Sequence, residues 1–174
     1  MLTPLSTAAL VALLALACWC DVRGRRIPNA LTLTGAAAGL LLRVPLGGSA
    51  VLDGLAGLGV ALLIGLAPFA LGVLGGGDTK LLGAVGAFVG LGRLPGTLLL
   101  VALAGGVLAL FEAVRQRALG RTLANTFGFV KDWWMFARAG VAVHWRAPGT
   151  VSVPYGIAIA VGTLIWWFAG GASP

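Results

Sequence analysis

Six apolar runs separated by short turns leave this 174-residue chain almost no material for a water-soluble domain. They fall at about Leu5–Cys20, Asn29–Leu46, Val51–Leu74, Thr79–Leu94, Thr97–Val114 and Val151–Gly170. Most approach the ~20 residues that an α-helix needs to cross ~30 Å of hydrocarbon. The runs are continuous, not alternating, and rich in Leu, Ala and Gly, which argues against β-barrel spans. With 59% hydrophobic and 10% charged residues, the composition is that of an integral membrane protein. The expected fold is all-α: a polytopic membrane helix bundle of about six transmembrane helices, forming one domain over residues 1–174. The fourth run is short, and its uninterrupted part, Leu81 to Gly92, also fits a re-entrant segment. A full crossing keeps the charge distribution consistent and is the reading adopted.

The net charge of +7 reads as a topology signal. With the amino terminus outside, the inner loops carry Arg23, Arg25, Arg26, Lys80, Arg115, Arg117, Arg121, Lys131, Arg138 and Arg146, and the outer loops only Arg43 and Arg93. Both termini then lie outside, and Asp21 and Asp78 share the cytoplasmic side. No soluble fold is available to present the same basic residues to a nucleic acid, so none is expected as a partner; the lipid bilayer is.

Several local features have modest readings. The first run lacks a basic segment before it, unlike a signal peptide, and its arginines follow it. Cys18 and Cys20 have poor geometry for a bridge and too few companions for zinc, so both read as packing residues. His144 stands alone in a basic loop. No set of metal ligands is present, and neither a metal nor another cofactor is expected. The long connection from residue 115 to residue 150 mixes Phe127, Phe129, Trp133, Trp134, Phe136 and Trp145 with Lys131, Arg138 and Arg146. It suits an amphipathic segment in the inner interface, serving as an anchor or receiving substrate.

Two acidic residues stand apart. A carboxylate at mid-helix costs roughly 2.5 to 3.5 kcal/mol in a bilayer, less near the interface, and this chain has only five acidic side chains. Asp21 lies in Cys20-Asp21-Val22-Arg23-Gly24-Arg25-Arg26-Ile27-Pro28-Asn29, and Asp78 in Gly75-Gly76-Gly77-Asp78-Thr79-Lys80. Asp21 ends the first run, where the helix dipole is negative; it can be a loop charge paired with a neighbouring arginine or a member of a functional pair. Asp78 can be the N-cap of the fourth run. The three glycines before it exceed what a cap requires: they allow close backbone approach and positive φ, which suits an extended peptide beside the carboxylate. Two carboxylates on one membrane face can share a proton, as in aspartic proteases.

The pattern Asp21-x-Arg23-x-x-x-Ile27-Pro28-Asn29 followed by Gly75-x-Gly77-Asp78-x-Lys80-Leu81 resembles the type IV prepilin peptidases, the membrane aspartic peptidases with a GxGD motif. The run Val153-Pro154-Tyr155-Gly156-Ile157-Ala158 resembles that family's last helix. The resemblance implies that Asp21 and Asp78 are the catalytic pair. It also implies removal of the short basic leader from prepilins and pseudopilins, substrates with an apolar amino-terminal helix, at the cytoplasmic face of the bacterial inner membrane. Full-length members add a cytoplasmic domain with a four-cysteine zinc site and methylate the new amino terminus. This sequence has neither that domain nor four cysteines and looks like the short form found with tight-adherence (Flp-type) pili, so methyltransferase activity is not expected.

The mechanism so implied has one carboxylate take a proton from the attacking water while the other protonates the carbonyl oxygen. Which does which is open, because a coupled pair titrates as a unit. Gly75, Gly76, Gly77 and Lys80 are the expected substrate-binding residues, with Lys80 either contacting an acidic residue of the prepilin or snorkelling to the interface. Two other readings stand beside this one. A small proton-coupled transporter would need acids near mid-bilayer, where Asp53 and Glu112 line no obvious path. An inactive pilus-assembly scaffold would not need the aspartate pair.

Overall fold

The computed structural model describes residues 3–70, 74–115 and 155–169. These hold six α-helices: α1 (Pro4–Gly24), α2 (Asn29–Leu41), α3 (Gly48–Ala70), α4 (Gly76–Val89), α5 (Leu94–Arg115) and α6 (Tyr155–Ala169). A 3₁₀ turn, Val44–Leu46, links α2 to α3. No strand occurs among the described residues. The aromatic and basic segment after Arg115, with His144, lies outside them.

The ends of the helices follow local chemistry. Thr3 caps α1, its Oγ1 accepting from the Ser6 amide at 3.2 Å, and Pro4 begins the helix without an amide to satisfy. The helix does not stop near Cys20 but runs a further turn. Arg25 adopts the left-handed conformation (φ 48°) and its amide bonds to the Asp21 carbonyl at 2.8 Å, closing the end. Asp21 therefore lies within the last turn of α1, at the carboxyl end of the helix.

Successive helices run in alternating directions. Trp167 Nε1, late in α6, donates to Thr7 Oγ1, early in α1, at 3.1 Å. At the other end of the same pair, the first turn of α6 meets the last turns of α1. Both ends of the described chain, at Thr3 and Ala169, thus lie at the end of the bundle away from Asp21. The fourth run is one continuous helix of 14 residues, about 21 Å long at ~1.5 Å per residue. It lies along the whole of α2, from Ile27 beside Gly77 to Arg43 beside Ala87 and Phe88, so it forms no re-entrant hairpin. It is also the centre of the fold: from Thr79 to Gly90 every residue except Lys80 is buried.

Small residues make that burial possible. The inward face of α3 is Gly54, Gly57, Ala61 and Gly65, a stripe at helical spacing. Gly57 and Gly86 cross so closely that a Cβ on either would collide with the other's carbonyl oxygen. Lipid is as apolar as leucine, so helix association in a bilayer depends on such close backbone packing. The outward faces complement this: Leu33, Leu63 and Val107 are each about 70% exposed. Four segments (Pro4–Gly24, Asn29–Leu46, Gly48–Ala70 and Leu94–Arg115) are long and apolar enough to cross a membrane. Buried small residues inside and exposed leucines outside make this a membrane protein.

Candidate active site

Asp21 and Asp78 come from the ends of different helices that the fold brings to the same end of the bundle. In the last turns of α1, the Asp21 side chain turns inward and is only 7% exposed. Its Oδ2 accepts the Gly156 amide of α6 at 2.9 Å. One turn earlier, the Cys18 thiol donates to the carbonyl of that same Gly156 at 3.5 Å. The α1 helix thus grips both polar groups of a single peptide residue. A Cβ at position 156 would lie 2.8 Å from Asp21 Oδ2 and 3.1 Å from Asp21 Cβ, so glycine is what lets α6 come this close.

Asp78 is not the N-cap of α4. Gly75 is the N-cap, and Asp78 stands three residues later in the first turn. From there its carboxyl group reaches back to the Gly75 amide, an interaction that forms half of a capping box. The other oxygen, Oδ1, is buried and has no hydrogen-bond partner among the described residues. The charge of Asp21 acts on Asp78, and α1, α4 and α6 all pack against one another.

The glycine run works differently from the expectation of positive φ. Gly75 has φ −74°, and the glycines with positive φ among the described residues are Gly47 and Gly90. The run serves close approach instead, since α4 begins there and requires ordinary helical backbone. A Cβ on Gly77 would sit 3.1 Å from Ile27 Cβ and 3.3 Å from its amide nitrogen, so the Arg25–Pro28 connection lies directly on the start of α4. That contact draws the end of α1 toward the beginning of α4. Gly76 faces the Phe69 ring at 3.3 Å by the same measure, while Gly75 is exposed. Lys80 projects from the rim, its Nζ donating to Asn29 Oδ1 at 2.8 Å.

Helix polarity gives the site an asymmetric field. The amino-terminal ends of α4 and α6 present positive dipole ends to the two carboxyl groups, while the carboxyl end of α1 opposes them. The other described acids are differently placed. Asp53 pairs with Arg43 at 3.0 Å, and Glu112 with Arg115 at 3.9 Å. Of the four, only Asp78 has a buried oxygen without a partner among the described residues. No group of three or more His, Cys, Asp or Glu side chains is placed to hold a metal ion among those residues.

Sequence reasoning missed three contributors. Cys18 reads there as a packing residue, yet it bonds to Gly156. Gly156 and Tyr155 belong to the Val153–Ala158 run but have no role assigned. In the structure Gly156 holds Asp21, and the charge of Asp78 reaches the Tyr155 phenol. The available signal was a Pro-Tyr-Gly string opening an apolar helix, where a glycine weakens the helix unless something must approach it closely.

No curated protein and no solved structure matches the chain significantly. A family model does, that of the type IV leader peptidase family, over residues 8–110. The matched stretch takes in most of α1, all of α2 to α4 and most of α5, with both aspartates and the glycine run, and stops before α6. Covering more than half of the 174 residues, the match makes this membrane helix bundle a member of the type IV leader peptidase family.

Proposed function

We propose that the chain is an aspartic endopeptidase of the bacterial inner membrane, removing the short basic leader from type IV (Flp-type) prepilins and pseudopilins at the cytoplasmic face. Asp21 and Asp78 form its catalytic pair. The observation that carries this reading is the buried Oδ1 of Asp78, without a partner among the described residues and under the influence of the Asp21 charge. A buried polar atom left unsatisfied costs about 1–3 kcal/mol, a penalty that an incoming substrate or water can relieve. Family membership supports the peptidase chemistry.

In the proposed reaction the ionised carboxylate takes a proton from water as the oxygen attacks the scissile carbonyl. The protonated carboxyl gives its proton to the carbonyl oxygen. The tetrahedral adduct collapses, the C–N bond breaks, and the leaving amine receives a proton from the pair. One proton is shared, so the cleavage rate should rise and then fall as pH increases. The exposed backbone of Gly75 and the amine of Lys80 are offered to the substrate, while Gly76 and Gly77 hold the start of α4 against Phe69 and Ile27. A prepilin, basic in the cytosol and apolar in the bilayer, carries its cleavage junction to the depth of this pair. The amino terminus lies outside, an orientation supported by ten of twelve basic residues falling on the aspartate side of the sequence-derived topology.

The test is co-expression with a prepilin from the same genome. The expected result is loss of the leader mass from the pilin amino terminus. A pilin that keeps its leader in the presence of the folded protein overturns the proposal.

A further inference from the structure

The first turn of α6 holds one member of the pair, and α6 packs against α4, which carries the other. Its Gly156 amide holds Asp21 Oδ2, and Tyr155 is the residue directly before it, with a phenol that feels the charge of Asp78. The tyrosine ring is set by α5: Gly105 leaves room for it, and a Cβ there would lie 3.5 Å from Tyr155 Cε1. Tyr155 is half-buried, with its ring packed between helices. Among the described residues its hydroxyl has no hydrogen-bond partner.

Other nearby neutral donors are already engaged. The Cys18 thiol serves the Gly156 carbonyl, and the Thr79 hydroxyl bonds to the Gly75 carbonyl at 3.1 Å. Peptide hydrolysis by a carboxyl pair has one shared proton for the carbonyl oxygen, which gains negative charge as water adds. A fixed neutral donor aimed at that oxygen lowers the barrier without requiring a second proton from the pair. A phenol can donate such a bond whichever carboxyl carries the proton.

We propose that Tyr155 is a third catalytic group, its phenol donating a hydrogen bond to the carbonyl oxygen of the scissile peptide. This rests on the hydrolytic reading of the Asp21–Asp78 pair. The peptide bond is still cleaved by water, and the phenol keeps its proton throughout.

Tyr155→Phe keeps the ring against Gly105 and removes only the hydroxyl. The expected result is a fall of about 10- to 100-fold in kcat, with KM and thermal stability close to the unsubstituted protein. An unchanged kcat, or a raised KM with unchanged kcat, overturns the inference. Tyr155 is the one tyrosine in the chain, so growth on 3-fluorotyrosine labels this position alone. The single fluorine resonance should shift in Asp78→Asn, and shift again when a prepilin-type peptide is added to the Asp21→Asn protein, where it is not cut. Indifference to either change overturns the inference without any measurement of activity. If the unsubstituted protein removes no leader, the proposed function fails and this inference with it. If that protein is active and Tyr155→Phe matches it, only the role of Tyr155 fails.

Discussion

The two ends of α4 treat buried polarity in opposite ways. At the end where α2 turns into α3, Arg43 donates to the carbonyls of Ala50, Ala87 and Phe88, each at 2.9 Å, and to Asp53 at 3.0 Å. Asp53 in turn accepts the Gly92 amide at 3.2 Å. The orphan carbonyls at the carboxyl end of α4 are thereby capped by a cation, as the helix dipole favours. At the other end of the same helix, the Asp78 carboxyl keeps a buried oxygen with no partner among the described residues, under the influence of the Asp21 charge. The cluster around Arg43 satisfies its polar groups and holds α2, α3 and α4 together. The other end leaves a polar atom unsatisfied, as the proposed reaction requires.

The comparison breaks most sharply at the aspartates. Asp21→Asn and Asp78→Asn should each lower leader removal by about 10²- to 10⁴-fold, the range for losing an acid–base group. Asp78→Asn should melt no lower than the unsubstituted protein, because the change removes a charge that the structure leaves under-served. Cleavage by both variants at full rate would reduce the aspartate end to another structural cluster.

Gly156→Ala should come next. The added methyl meets Asp21 Oδ2 and Cβ, so the carboxyl must move or α6 must retreat. A displacement of that size in a reacting group can cost about 10²-fold in rate. The check is kcat against melting temperature: activity should fall far more than stability. Equal losses would mean that the contact merely packs helices.

Arg43→Met should produce the opposite pattern. It removes three carbonyl bonds and one ion pair while filling similar space. The carbonyl bonds matter more than the pair, since Asp53 is 42% exposed and its attraction is screened by solvent. A loss of about 2–4 kcal/mol in unfolding free energy is expected, with turnover per folded molecule unchanged. A selective loss of turnover would show that the far end acts on the reaction.

The asymmetry between the ends was only partly legible beforehand. Six apolar runs announce six helices, because a bilayer forces backbone groups to pair within each segment. Asp21 and Asp78 stand out because carboxylates are scarce and costly in such a chain. The rest depends on contacts that no local pattern encodes. Asp21 meets Gly156 across 135 residues, and Arg43 reaches Ala87 across 44. The extra turn of α1 depends on Arg25 taking the left-handed conformation although Gly24, the more permissive residue, stands beside it. The shift of Asp78 from cap to first turn comes from α4 beginning within the glycines, where Gly77 can lie against Ile27.

Lys80 offers the smallest and most specific test of what lies between the two ends. It is the one exposed residue in the otherwise buried stretch from Thr79 to Gly90. Its bond to Asn29 Oδ1 is neutral on one side and open to solvent, worth little to stability. A snorkelling anchor and a substrate contact therefore differ in one measurable respect. If Lys80 meets an acidic residue of the prepilin, Lys80→Ala should raise KM about 3- to 10-fold for an acidic substrate and leave a neutralised substrate unaffected, with kcat constant for both. An anchor would shift both substrates alike or neither. Equal behaviour of the two substrates would confine recognition to the backbone at Gly75 and the aspartate pair, and leave Lys80 as a link between α2 and α4.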